Sequence, residues 1–318
     1  MQGLVTVFGG SGFVGGQVVR RLAKAGYRVR VAVRNPNLGY RMRMLGDVGQ
    51  IEVVQANVRN AASVARALDG AEAAVNLVGV LLETGRQKFQ TLHVMGARTV
   101  AEQAKAAGVK RLVQISAIGA DETASSKYAR TKAMGEAAVR EAFPGAVVIR
   151  PSIVFGADDK FFNKFGQMAA LFPALPLIGG GETRFQPVFV GDVAQVVANA
   201  VASPAAEGLT YELGGPTVYS FKQLLEMILR ETGRNRMLVP LPWFVASWIG
   251  KLGDLSPITP PLTSDQVESL KTDNVADKGL PGLAEAGVIP TTVESVVPSY
   301  LYRYRKGGQY AEVPAGAF

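Results

Sequence analysis

Few folds accept glycines at Gly9, Gly12 and Gly15 directly after a short apolar run, Leu4–Phe8, and directly before a helical one. The spacing fits a strand that turns sharply into a helix. In such a turn the first glycine permits the reversal and the next lets the backbone approach a pyrophosphate. The last lets the helix pack closely on the strand. Free N–H groups at the helix start, with the positive end of its dipole, would then face the phosphates. Glycine-rich turns also occur without a ligand. Here the strand before, the helix after and the early position in a βαβ series favour a nucleotide. Gly9, Ser11, Gly12, Phe13 and Val14 are the residues whose backbone would meet it.

The rest of the first half keeps a regular beat. Apolar runs at Val29–Val33, Ile51–Gln55, Ala73–Val78, Leu112–Ile115 and Val147–Ile149 read as buried strands. Helical stretches separate them, clearest at Gly12–Ala25, Ala61–Leu68, Phe89–Ala107 and Ser126–Phe143. Short strands alternating with helices predict an α/β protein with a Rossmann-like, doubly wound parallel sheet. After Pro151 regularity weakens. Phe161–Phe172, Val193–Ala202 and Phe221–Thr232 read as helices, the last with Ser220 as N-cap, and Thr210–Leu213 as a strand. We therefore expect a dinucleotide-binding domain over residues 1–155 and a smaller, irregular lobe over 156–318, packed on the sheet and available for docking to a partner or membrane.

The end of the second strand bears on which dinucleotide binds. An NAD site usually places a carboxylate there for the ribose hydroxyls. The run Arg28-Val29-Arg30-Val31-Ala32-Val33-Arg34-Asn35 offers none. Arg34 falls where a guanidinium fork can take a 2′-phosphate, which points to NADPH.

Composition removes several other chemistries. The 318 residues include no cysteine, so disulfides, iron–sulfur clusters and thiol nucleophiles are excluded. A single histidine, His93, excludes a multi-histidine metal site, and its place in an apolar helical stretch favours packing or hydrogen bonding over chemistry. We expect no metal. The formal charge of +8 suits an anionic partner: nucleotide phosphate, anionic membrane or acidic protein. No apolar run is long enough to span a bilayer, and the N-terminus carries no signal pattern.

The helical stretch after the fifth strand begins Tyr128-Ala129-Arg130-Thr131-Lys132. With the glycine turn, this Tyr-x-x-x-Lys resembles the short-chain dehydrogenase/reductase superfamily in its extended or atypical branch. The resemblance implies that Lys132 binds the nicotinamide ribose and lowers the Tyr128 pKa. Tyr128 would then exchange a proton with a substrate oxygen. It further implies cofactor contacts from Leu77, Val78 and Gly79 beside the ribose, and from Ile115 and Ser116. Pro151, Ser152 and Ile153 would lie near the carboxamide, and Asn57 and Val58 near the adenine. Extended members carry a further serine or threonine to hold a substrate carbonyl. Here Ser116-Ala117-Ile118-Gly119-Ala120 leaves Ser116 as the only hydroxyl, with Ser125 and Ser126 better suited to capping the helix. Catalysis by Tyr128, Lys132 and Ser116 is therefore conditional.

A narrower resemblance covers nearly the whole chain. The segments Val75–Gly79, Tyr128–Glu136, Arg150–Gly156, Asp159–Phe161, Pro240–Phe244 and Leu280–Leu283 are similar, in order and spacing, to the alpha-subcomplex subunit nine family of complex I accessory subunits. It implies a structural subunit of proton-pumping NADH:quinone oxidoreductase that holds NADPH without turnover. Its partners would be peripheral-arm subunits near the membrane, peripheral on the cytoplasmic face of a bacterial inner membrane. The alternative is a free NADP-dependent reductase or epimerase acting on a small carbonyl or sugar-like substrate. Both tryptophans fall in Leu238–Leu252, whose apolar residues cover more than one helical stripe. That suggests burial on several sides, in the lobe's own core or at a protein or membrane interface. Tyr300–Lys306 adds a basic aromatic patch that could meet lipid phosphates or an acidic subunit; no nucleic-acid module accompanies it.

Overall fold

The structure, a computed structural model, describes residues 2–256, 260 and 262–310. It divides into two compact units that the chain enters more than once.

The first unit is built on a seven-stranded sheet. In chain order it opens with β1 (Gln2–Phe8), α1 (Phe13–Lys24), β2 (Tyr27–Val33), β3 (Ile51–Gln55) and α2 (Ala61–Leu68). It continues with β4 (Ala73–Asn76), α3 (Ala97–Ala106), β5 (Arg111–Ile115), α4 (Lys127–Ala142) and β6 (Val147–Pro151). A π-helical segment, Gln90–Gly96, leads directly into α3. The interior strands are almost wholly buried, which is why Val, Leu and Ala fill them without alternation.

The second unit takes over at Ile153 with β7 (Val154–Phe155), α5 (Phe162–Leu171), β8 (Ala174–Ile178), β9 (Arg184–Phe185) and β10 (Val188–Phe189). The chain then returns to the first unit for α6 (Val190–Ala202) and β11 (Thr210–Leu213), and again over Ala276–Pro290. The boundary expected after residue 155 thus lies close to the first crossing, but one cut does not separate the units. The reason is hydrogen bonding: β11 pairs parallel with β6 and completes the sheet in the order β11-β6-β5-β4-β1-β2-β3. Helix α1 packs with α6, and α2, α3 and α4 pack in succession.

The remainder of the second unit comprises β12 (Tyr219–Ser220), α7 (Phe221–Thr232), β13 (Met237–Leu241), α8 (Trp243–Asp254), α9 (Ser264–Leu270), α10 (Val293–Val296) and α11 (Pro298–Leu301). Ser220 caps α7 in a capping box with Gln223, and Gly233 ends it in the left-handed region. Phe161, Phe165, Phe185 and Phe221 interlock edge to face or tilted at the centre of this unit's core.

Two expectations for this unit are corrected. Helix α8 buries only Ala246 and Gly250. It lies against α9 through its small residues: a Cβ on Gly250 would stand 2.8 Å from Ser264 N, and one on Gly253 2.2 Å from Leu262 O. That contact turns Phe244, Trp248, Leu252 and Leu255 outward, each about two-thirds exposed or more. The Tyr300–Lys306 patch is largely spent inside the unit. Tyr300 is buried and its hydroxyl donates to Asp159 at 2.5 Å, Tyr304 donates to Asn163, and Arg305 donates to the Glu231 carbonyl.

Candidate functional site

The sheet order of the first unit reverses between β1 and β4, and the carboxyl ends of these strands are the usual ligand position in an open α/β sheet. Gly9 leaves β1 at φ +77°, a conformation open to glycine without steric cost. Its carbonyl accepts from the Gly12 amide at 3.1 Å. A Cβ on Gly15 would stand 2.3 Å from Gly9 O, so α1 reaches the turn only because that position has no side chain. Gly12 caps α1 without a side-chain hydrogen bond, and no acidic residue enters the first turn. Helix geometry leaves the amides of Phe13 and Val14 without intrahelical acceptors, which suits an anion.

Arg34 is exposed at the end of β2, with its carbonyl accepting from Gln55 Nε2 at 3.4 Å. A second guanidinium, unmarked by any sequence pattern, reaches the glycine turn: Arg41 Nη2 donates to Ser11 O at 3.3 Å. Arg41 lies in a 3₁₀ segment, Tyr40–Leu45, and nothing periodic in that stretch marks it. After β3, where an adenine is expected, the Asn57 side-chain oxygen already accepts from Arg59 N (3.1 Å) and Arg59 Nε (3.3 Å), and Val58 is buried.

Around the ends of β4 and β5 lies a connected polar network. Asn76 donates to Gln114 Oε1 at 2.8 Å and accepts from Val78 N, which shapes the turn of Leu77, Val78 and Gly79. Gln114 and Lys132 both donate to the Ile115 carbonyl, at 2.9 and 3.4 Å. A Cβ on Gly79 would stand 3.2 Å from Lys132 Nζ. Lys132 is buried, and desolvation pushes its pKa down to about 8, against a smaller opposing pull from Glu136. Its ammonium stands 5.8 Å from the centre of the Tyr128 ring. The half-buried Tyr128 ring meets Phe89 and His93 edge on. Helix α4 presents both residues because Ser126 accepts from Ala129 N and starts it one residue before Lys127.

His93 is buried among these groups. Burial first, then the Lys132 charge, pushes its pKa down to about 3, so the ring is neutral. Glu136 serves another purpose: it forms a bidentate pair with Arg150, which also reaches Glu212 at 3.2 Å. Pro151 ends β6, Ser152 N just after it donates to Leu213 O, and Ile153 opens the second unit.

Ser116 decides how well a cofactor fits. Its side chain is buried, and among the described residues its hydroxyl oxygen is the buried side-chain polar atom left without a partner. Such an orphan costs stability unless something supplies a hydrogen bond. A nicotinamide dinucleotide would suit the set: the amide-lined turn could hold its diphosphate, and Lys132 and Ser116 could hydrogen-bond its ribose and neighbouring groups. The stretch that follows Ser116, Ala117-Ile118-Gly119-Ala120, carries no hydroxyl, and Ile118 is buried.

This fold and site define a dinucleotide-binding protein of the extended short-chain dehydrogenase type. The NAD dependent epimerase/dehydratase family model matches residues 5–214. A mouse (Mus musculus) protein named NADH dehydrogenase (ubiquinone) 1 alpha subcomplex subunit 9, mitochondrial, is 38% identical over 304 residues, covering 95% of this chain and 80% of that one. A ceramide reductase from Caulobacter vibrioides is 30% identical over 241 residues, covering 76% and 74%. Among solved structures, an NADPH-dependent quinone oxidoreductase from Escherichia coli, complexed with NADPH, superposes with a TM-score of 0.74 at 22% identity, over 94% of this chain and 99% of that one. The chain belongs to the NAD dependent epimerase/dehydratase family and, within it, to the alpha subcomplex subunit 9 family.

Proposed function

We propose that this chain is an accessory subunit of a proton-pumping NADH:quinone oxidoreductase, respiratory complex I, and that it holds NADPH as a structural group. The observation that carries the reading is likeness along almost the full chain to a subunit of that enzyme. The site agrees with retention over turnover. Lys132, Ser116 and the glycine turn would grip the nucleotide, while Ala117-Ile118-Gly119-Ala120 after Ser116 offers no hydroxyl to hold a substrate carbonyl. Arg34 at the end of β2 with no carboxylate there, and Arg41 at the glycine turn, support NADPH over NADH.

The second unit would supply the docking surface through the outward Phe244, Trp248 and Leu252. No helix among the described residues is long and apolar enough to cross a membrane, so the chain would join the peripheral arm from outside the bilayer. We place that arm on the cytoplasmic face of a bacterial inner membrane. The test is gentle detergent solubilisation followed by native separation. The chain should migrate with NADH:quinone oxidoreductase activity and release NADPH on denaturation. Migration alone in the soluble fraction would refute the assembly, and material empty of NADPH would refute the cofactor.

Two observations favour a second reading, a free NADP-dependent reductase: the Tyr128–Lys132 pair is intact, and the chain resembles a bacterial ceramide reductase. A bound nicotinamide would supply hydride chemistry, with Tyr128 moving a proton at the substrate oxygen. Tyr128→Phe separates the two. Unchanged assembly and respiration support the structural role, whereas loss of a soluble reductase activity supports catalysis.

A further inference from the structure

We propose that His93 is the positioning residue of the nucleotide site: its ring ties the Leu77–Val80 turn to the first turn of α4 and so sets that turn against Lys132. The inference rests on the reading that a dinucleotide occupies the site.

Both ring nitrogens are engaged, and by different elements. Val80 N donates to His93 Nε2 at 3.2 Å, and His93 Nδ1 lies 3.1 Å from Thr131 Oγ1. A backbone amide can only donate, so Nε2 carries no proton and the neutral ring holds its proton on Nδ1. Nδ1–H then donates to Thr131 Oγ1, whose own hydroxyl donates to the Tyr128 carbonyl at 3.0 Å. A continuous chain of hydrogen bonds therefore runs from the turn after β4, through one imidazole, to the helical turn that carries Tyr128 and Lys132.

The surroundings fix the ring. Phe89 stacks on it at 5.2 Å and 17°, and the Tyr128 ring meets it edge on at 5.4 Å. The backbone beneath it is the π-helical segment Gln90–Gly96, a widened turn of the kind often found at functional sites. There, a Cβ on Gly135 of α4 would stand only 2.1 Å from His93 O. Helix α4 therefore grips the histidine's main chain while Thr131 grips its side chain. The consequence falls at Gly79, where a Cβ would stand 3.2 Å from Lys132 Nζ and 3.6 Å from His93 Nε2. Gly79, next to the Val80 amide that the imidazole holds, is thus packed against both the ammonium and the ring. A ring that only filled space would need neither nitrogen.

Three substitutions separate positioning from packing. His93→Gln keeps an acceptor at about the reach of Nε2, His93→Asn keeps only a donor toward Thr131, and His93→Leu keeps neither. The dissociation constant for NADPH, read from fluorescence of the bound dihydronicotinamide, should rise about tenfold in His93→Leu and His93→Asn, as expected when a buried amide loses its acceptor. His93→Gln should stay within about threefold, the partial rescue expected when that acceptor is restored. Melting without nucleotide is recorded alongside, since a packing role would lower it without separating Gln from Asn in affinity. His93 is the only histidine, so nitrogen-15 histidine labelling of the untagged protein reports one ring: proton on Nδ1, with the Nε2 resonance moving when NADPH is added. Wild-type protein that binds NADPH while all three variants bind it equally well overturns the role of His93 and leaves the cofactor reading intact. Wild-type protein that takes up no NADPH overturns both. Should His93→Leu fail to fold, the Gln–Asn comparison and the wild-type resonance still decide.

Discussion

Lys132→Met should stabilise the nucleotide-free protein while weakening its hold on nucleotide. The ammonium is buried, its recorded hydrogen bond goes to the Ile115 carbonyl, and the nearest helpful charge, Glu136, is already committed to Arg150. Desolvation lowers its pKa from 10.5 to about 8. At neutral pH the lysine is protonated in both states, and the shift corresponds to a cost of roughly 3 kcal/mol to the folded state. Between about pH 8 and pH 10.5 the unfolded chain binds the extra proton, so wild-type stability from this group rises with pH, and the cost shrinks below about 1 kcal/mol near pH 10. Methionine has similar length and no charge to desolvate. The assay is urea unfolding of nucleotide-free wild type and Lys132→Met at pH 7 and near pH 10, comparing the two proteins at each pH so that other titrations cancel. We expect the variant to be more stable by roughly 3 kcal/mol at pH 7, with the gap mostly closed at the higher pH. A variant less stable at pH 7, or a gap that does not change with pH, refutes the desolvation argument. Affinity for NADPH should fall in the same variant, because the ribose loses its charged partner.

Three further outcomes follow from the geometry. Arg34→Ala should weaken NADPH binding by about tenfold or more and leave NADH nearly unchanged, as loss of a charge-assisted fork to a phosphate requires; equal loss of both removes the 2′-phosphate argument. Glu136→Gln leaves the buried side of Arg150 without its bidentate partner and should cost about 3–5 kcal/mol in urea unfolding; a neutral result would show that Glu212 alone satisfies the guanidinium. Trp248→Ser, at a residue 67% exposed, should leave melting of the isolated protein almost unchanged yet reduce co-migration with the membrane enzyme; unchanged co-migration would move the docking surface away from α8.

The glycine turn, the strand–helix alternation and the Tyr128–Lys132 spacing were legible because each is local. Positive φ at Gly9, a cap without a side chain at Gly12 and four-residue spacing on one helical face follow from residue type and position alone. Ser126 and Ser220 as caps follow for the same reason. Arg41 was not legible, because an irregular 3₁₀ stretch has no period from which to read where its side chain goes. The full use of His93 was not legible either, since its two partners are 13 and 38 residues away.

The C-terminal half shows where local reasoning ends. Apolar residues around α8 announce that something must cover them, but burial is a property of neighbours, and the approach to the start of α9 is made by Gly250 while Trp248 stays outside. The basic aromatic run at Tyr300 looks like surface until Asp159, some 140 residues earlier, accepts its hydroxyl. Likewise β11 belongs to the first unit only because β6 offers it an open edge. Conformational preference acts over a few residues and was set by the chain itself. Pairing, burial and charge neutralisation join distant residues, and only the folded arrangement decided them.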